Sequence, residues 1–248
     1  MQNFKMTIAY DGRKYMGFSE RKGNPDKAVQ GKLELILTKM YNTYVEIISA
    51  CNTEAGVHAK HQIVNFIAPD DAFDEKGVFE HFEKYLPDDI IILKVERVDE
   101  RFHARYLVKS LTFEYRIWKH DAPRRPLFER HHVNVLNQKL NANAMKDAAI
   151  DLIGEHDFSV FATNTKTKNT FKKMTEASIQ ETDTEIIIRL TANGFLLNME
   201  RFIVGTLIQI GTGQLPVNAI QKALSSGNTD YVGHKAMSDA LSLVNVEY

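Results

Sequence analysis

Phe4, Met6, Ile8 and Tyr10 alternate with polar or small residues at the start of the chain, the period of a strand with one buried face. Residues 11–27 are dense in turn formers and charge and read as a long loop. Over 28–41 the apolar residues Val29, Leu33, Ile36, Leu37 and Met40 recur at helical spacing and predict an amphipathic helix with a core-facing stripe. Two strand-like runs, 44–50 and 61–68, enclose a short polar turn. Val78, Phe79, Phe82, Tyr85 and Leu86 then mark a second helix, stopped by Pro87, and 90–98 is a third strand region. The order strand, helix, strand, strand, helix, strand is that of a split βαβ, ferredoxin-like unit, whose helices cover one face of an antiparallel sheet.

The second part opens on another alternating strand, with Leu111, Phe113, Tyr115 and Ile117 on one face and Thr112, Glu114 and Arg116 on the other. A basic, proline-containing loop follows at 121–132, then a helix at 141–153, strands at 175–180 and 185–192, a long apolar helix at 195–210, a short helix at 217–225 and a closing strand at 241–246. The pattern predicts an α+β protein of two related halves, 1–105 and 106–248, joined into a mixed sheet, although no sequence repeat relates them. The basic loop reads as the boundary region.

Composition narrows the class. With 248 residues, 44% hydrophobic and 25% charged, the chain has the make-up of a globular protein, and no apolar run approaches the ~20 residues of a spanning helix. The N-terminal residues lack the pattern of a secretory signal, and the single cysteine, Cys51, suits a reducing compartment; a cytoplasmic protein without a membrane partner is expected. The net charge of −1 is uninformative, but Arg124 and Arg125, Arg130 with His131 and His132, and Lys166, Lys168, Lys172 and Lys173 form local basic clusters. Such clusters are a phosphate-backbone footprint on an otherwise neutral surface, or simply solvated faces.

Two residues draw attention as chemistry. Glu54 stands in the turn between two strands, where Gly56 permits close backbone approach, so its carboxylate is well placed to face a substrate. Arg201 lies among Met199, Phe202, Ile203 and Val204; a cation in that setting requires a partner, and adjacent Glu200 points about 100° away on a helix. His58 and His61 have no companion ligands at metal spacing, Gly211-Thr212-Gly213 ends a helix instead of opening one, and Trp118 is most simply core.

Several segments together resemble the tRNA pseudouridine synthase A family. YDGRKYMGFSERKGNPDKAVQGKLELIL is similar to that family's YDG, G-W-Q and V-Q-G segments, and NTEAGVHAKHQIVNF to its R-T-D-A-G-V-H-A motif followed by Q-V-V-H-F. FHARYLVKSLTFEYRI, DFSVFA, ANGFLLNMERFIVGTL and the terminal LVNVEY continue the match in order over nearly the whole chain. The resemblance implies isomerisation of uridine to pseudouridine in the anticodon arm of transfer RNA, without metal, nucleotide or redox cofactor, by a homodimer whose protomers hold two α+β halves around a cleft. It implies that the family's catalytic aspartate, base-packing tyrosine and aspartate-pairing arginine correspond to Glu54, Tyr115 and Arg201. Asn52, Gly56 and His58 would then line the substrate site, with Arg124, Arg125, Lys166, Lys168 and Lys172 on RNA phosphates.

The departures from the family pattern fall in the site. Glu54 replaces aspartate, which moves the carboxylate by about one bond length, and a ~1 Å misplacement costs up to 10²-fold in rate. Asn52 replaces the arginine two residues earlier and removes a cation. G-W-Q reads Gly17-Phe18-Ser19. Two readings follow: an isomerase that uses Glu54, or a paralogue that has lost turnover and serves as an RNA-binding or chaperone module.

Overall fold

The computed structural model describes residues 2–19, 23–163 and 169–248. The chain divides into two compact units, Met1–Lys109 with Leu243–Tyr248, and Ser110–Ser242. The last six residues thus belong to the first unit, and the basic loop of 121–132 falls inside the second.

In the first unit the elements are β1 (Gln2–Tyr10), α1 (Val29–Tyr41), β2 (Ile48–Ser49), β3 (His58–Ala68), α2 (Glu75–Tyr85) and β4 (Ile90–Val98). The strands pair β4-β1-β3 with β2 also on β3, all antiparallel, which is the ferredoxin-like order that the pattern predicts. A further strand, β10 (Leu241–Glu247), also lies beside β3. Phe4, Met6 and Ile8 are fully buried, as their alternation requires. Phe4 lies opposite Phe66 in register, their rings stack at 5.4 Å, and Tyr41 from the end of α1 adds its ring at 6.4 Å from Phe66. The Asp74 side chain caps α2 by accepting from the Gly77 amide at 2.8 Å.

One expected strand is mostly absent. Of the run 44–50 only Ile48–Ser49 pairs with β3, and Tyr44 is exposed. The reason lies in α1: the Ile47 amide donates to the Glu34 carboxylate at 3.0 Å and its carbonyl accepts from the Gln30 side chain at 3.2 Å. Helix side chains take the backbone groups that a sheet partner would have used. Conversely β3 begins at His58, three residues before the predicted strand.

The second unit contains β5 (Ser110–Trp118), β6 (Asn134–Val135), α3 (Ala142–Ala149), β7 (Gly154–Asp157), β8 (Phe171–Glu181), β9 (Glu185–Ala192), α4 (Met199–Gly211) and α5 (Ala219–Ser226). Its strands run β5-β9-β8-β7, antiparallel throughout, and β6 joins β5 in parallel, so the protein is α+β with mixed strand directions. Along the chain β5, α3, β8, β9, α4 and β10 repeat the succession of the first unit, with β6, β7 and α5 inserted.

Two helix boundaries lie four residues from the sequence expectation. Helix α3 ends at Ala149, and its last turn tightens into a 3₁₀ segment, Ile150–Leu152. Helix α4 starts at Met199 instead of 195, because Asn198 takes a left-handed conformation with φ 64° and a turn from the Leu196 carbonyl to the Met199 amide precedes it. Among the described residues no helix is long and apolar enough to cross a membrane.

Candidate active site

Glu54 is half-buried at the first position of a tight turn in which the Val57 amide donates to the Glu54 carbonyl at 3.1 Å. Gly56 occupies the third position with φ 80°, the left-handed value a type II turn demands there. The turn is braced from the preceding loop. Gly17 forms a β-bridge with Glu54, Phe18 donates to the Thr53 carbonyl at 3.0 Å, and the Gly56 amide donates to the Tyr15 carbonyl at 3.3 Å. Thr53 is held on its other side by the Tyr10 hydroxyl at 2.8 Å, and burial raises the Tyr10 phenol above its ordinary range, so it stays neutral. Four backbone and side-chain ties thus fix the backbone that carries the carboxylate.

His58 supports the turn from beneath. It is 3% exposed, and its Nδ1 accepts from the Gly12 amide at 3.1 Å. Gly12 is pressed so closely on the Val57 carbonyl that a Cβ would sit 2.0 Å from its oxygen. Asp11 Oδ1 also lies 3.3 Å from Nδ1, but an amide can only donate, so that nitrogen is already an acceptor and the cation facing Asp11 is Arg13. Burial pushes the Asp11 carboxyl up, while hydrogen bonds from the Arg13 side chain and amide outweigh it and bring the group down to about 2.

Asn52 is exposed and its Oδ1 meets two donors, Ser49 Oγ at 3.0 Å and Arg105 Nη2 at 3.3 Å. Arg105 also donates to Ser49 Oγ at 3.3 Å. The sequence reading did not single out Arg105, although it stands in the FHARY segment; nothing in the local pattern connects it to Asn52. A polar network fixes its loop. Asn65 accepts from the Ala104 amide at 2.8 Å and donates to Asn3 at 3.0 Å, Asn3 donates to the carbonyls of Asp99 and Phe102, and the Tyr248 hydroxyl donates to the Ala104 carbonyl at 2.8 Å.

In the second unit the structure brings Tyr115 and Arg201 together. Tyr115 is 1% exposed on β5 and points with the apolar face, as its alternation predicts. Burial raises its phenol above the ordinary range; the side chain of Asn134, Asp239, Arg201 and the Met237 backbone are the polar groups that act on it. Its hydroxyl has no hydrogen bond of good geometry among the described residues, so the ring presents a polar tip in an enclosed setting. Arg201 is half-buried on α4 and is held by both ends of one tie: its Nε donates to the Ala236 carbonyl at 2.7 Å, and its own carbonyl accepts from the Ala236 amide at 3.0 Å. The segment around Ala236 is strapped to α4 a turn further on, where Gly233 donates to Thr206 Oγ1 at 2.8 Å.

The expected phosphate contacts are less uniform. Arg124 and Arg125 are exposed, and the Arg124 carbonyl is fixed by Trp118 Nε1 at 2.9 Å, so Trp118 is both core and a peg for the basic loop. Lys172 is a strand residue of β8, opposite His156, because β8 begins at Phe171, ahead of the strand expected at 175–180. Lys166 and Lys168 lie outside the described residues.

A family model described as tRNA pseudouridine synthase matches residues 148–248. Over the whole chain the sequence is 40% identical to a protein of Bacillus cereus named tRNA pseudouridine synthase A 2, covering 100% of both. It is 35% identical to tRNA pseudouridine synthase A of Oenococcus oeni, covering 100% of this chain and 98% of that one, and 34% identical to that of Acetivibrio thermocellus, covering 100% of both. Among solved structures, the archaeal box H/ACA sRNP Nop10-Cbf5 complex aligns over 94% of this chain and 68% of that chain with a TM-score of 0.34 and 8% identity, which is too distant to add to the argument. At 34–40% identity over its full length, this chain belongs to the tRNA pseudouridine synthase A family.

Proposed function

We propose that the protein isomerises uridine to pseudouridine in transfer RNA, as a cytoplasmic homodimer, with Glu54 as its catalytic carboxylate. The observation that carries this reading is the 40% identity over the full length of a tRNA pseudouridine synthase A 2, together with the turn that carries Glu54 being tied down on both sides. In the reaction the bond from N1 of the base to C1′ of the ribose breaks, the base turns, a bond forms from C5 to C1′, and the C5 proton is lost while N1 gains one. Glu54 serves this either by attack at C1′ or by removal of the C2′ proton; both need an ionised, positioned carboxylate. The reaction also needs the nucleotide out of its stack, for which Tyr115 is the aromatic neighbour and Arg201 the cation. Asn52 and Gly56 border the substrate, His58 holds the turn, and Arg124, Arg125, Lys172, Lys166 and Lys168 engage phosphates.

The test is turnover. Purified protein incubated with an unmodified tRNA transcript yields pseudouridine, and Glu54→Ala lowers the rate by roughly 10³-fold or more. A wild type that binds the transcript and forms no product, while Glu54→Asp does form it, overturns the isomerase reading and leaves an RNA-binding paralogue.

A further inference from the structure

The loop of 99–109 carries an arrangement that the roles above leave unused. Tyr106 is 80% exposed, yet its ring is not loose: it stacks on His103 with centroids 4.0 Å apart and planes 24° apart. His103 in turn is set by its own backbone, because Nδ1 accepts from the amides of Arg105 at 3.2 Å and Tyr106 at 3.3 Å. One face of Tyr106 is therefore covered by imidazole and the other is presented to solvent. Holding a large aromatic ring flat and exposed forfeits the free energy of burying it, and the anchoring network of Asn3, Asn65 and Tyr248 keeps the loop from relaxing. Beside the ring is the Arg105 guanidinium. It touches only neutral oxygens, those of Ser49 and Asn52, and among the described residues it has no carboxylate partner.

Both residues line an open cleft of about 390 Å³ whose other walls include Ser19, Gln30, Asn52 and His103. Glu46 also lines it and disfavours an anion on its side, which leaves Arg105 as the place for one. An exposed aromatic face, an arginine with unused donors and neutral amide and hydroxyl groups are the components of a seat for an unpaired nucleotide: base on ring, phosphate on guanidinium, base edge on the amides. The cleft is also close to the chemistry, since Asn52 precedes Glu54 by two residues, a backbone span of at most about 7 Å.

We infer that this cleft holds an unpaired RNA nucleotide next to the one at Glu54, with its base stacked on Tyr106 and its phosphate on Arg105. Arg105 and Tyr106 are positioning residues for the RNA strand. The inference rests on the isomerase reading only for the nature of the ligand.

The experiment measures equilibrium binding and turnover of one tRNA transcript by wild type, Tyr106→Ala, Tyr106→Phe and Arg105→Ala, with Tyr85→Ala on α2 as a control for loss of an exposed tyrosine. Tyr106→Ala is expected to weaken binding and raise KM at least about fivefold with kcat within twofold, and Tyr106→Phe to restore both, because stacking needs the ring and not the hydroxyl. Arg105→Ala is expected to reduce the slope of log K against log salt by about 0.7, the value for one single-strand phosphate. Tyr106→Ala binding within twofold of wild type, or an unchanged salt slope in Arg105→Ala, overturns the seat. Normal effects of these variants on binding, in a protein that makes no pseudouridine, leave the seat standing and overturn the isomerase reading alone.

Discussion

Asp11 shows how one side chain can tie stability to pH. Its folded-state carboxyl titrates near 2, below the ordinary 3.8, because the Arg13 side chain and amide outweigh the effect of burial. A depressed value means the native state holds fewer protons than the unfolded one between those two values, so the contribution is complete above about pH 4 and lost as pH falls toward 2. In Asp11→Asn the melting temperature is expected to fall less steeply than in wild type over that window, with the two curves parallel from pH 5 to 8; thermal unfolding across pH 2–8 checks it. Because Asp11 neighbours Gly12, which leans on Val57, the same acid range should disturb the turn of Glu54 first. Residue roles of this kind were only partly legible beforehand. Glu54, Gly56 and Arg201 drew attention from turn chemistry and an arginine among apolar neighbours, whereas Tyr115 entered as a site residue only through the family resemblance. Asn3 and Asn65 did not, since an asparagine in a strand reads as solvent-facing, while these two are 2% and 1% exposed and bond across 62 positions of sequence.

At the scale of elements, periodicity served well where the sheet or core decides the backbone's partners. Strand β1, helix α1, strand β4 and strand β5 follow their apolar patterns closely. It served poorly where a side chain takes the backbone's hydrogen bonds, as Glu34 and Gln30 do at Ile47, or where a left-handed residue resets the chain, as Asn198 does before α4. The loop of 99–109 is the extreme case: it has no regular structure, yet it is anchored by buried side-chain bonds. Asn65→Ala removes the acceptor for the Ala104 amide and the donor to Asn3, leaving two groups without partners in a dry setting. A loss of about 2–6 kcal/mol in urea unfolding is expected, at an unaltered m-value, since each orphaned group costs about 1–3 kcal/mol.

For the whole molecule, the charge balance of −1 conceals the local basic clusters, and the division into two units was legible only in outline. The repeated order of strands and helices could be read from the pattern; the return of Leu243–Tyr248 to the first unit could not, because a terminal apolar strand carries no mark of which sheet it will join. Removing residues 243–248 takes away the Tyr248 bond to Ala104, its ring contact with Phe102 at 5.0 Å and the Glu247 carbonyl that accepts from Lys109 at 2.8 Å. The truncated chain is expected to be cleaved rapidly within 99–109 under limited proteolysis, while Ser110–Ser242 stays protected; equal cleavage of both would show that the strand secures the entire chain instead.

Residues 243–247 of β10 belong to the first unit but are made only after the whole of Ser110–Ser242. At about 5–20 residues per second the first unit waits on the order of ten seconds, with the β3 flank open, before its final strand arrives. Only then can Tyr248 donate to the Ala104 carbonyl and Lys109 to the Glu247 carbonyl, which adds to the Asn3 and Asn65 anchors of the loop bearing Arg105 and Tyr106. A nascent chain that stops short of residue 243 lacks both ties, and a weaker hold on RNA is expected of it if Arg105 and Tyr106 form the nucleotide seat.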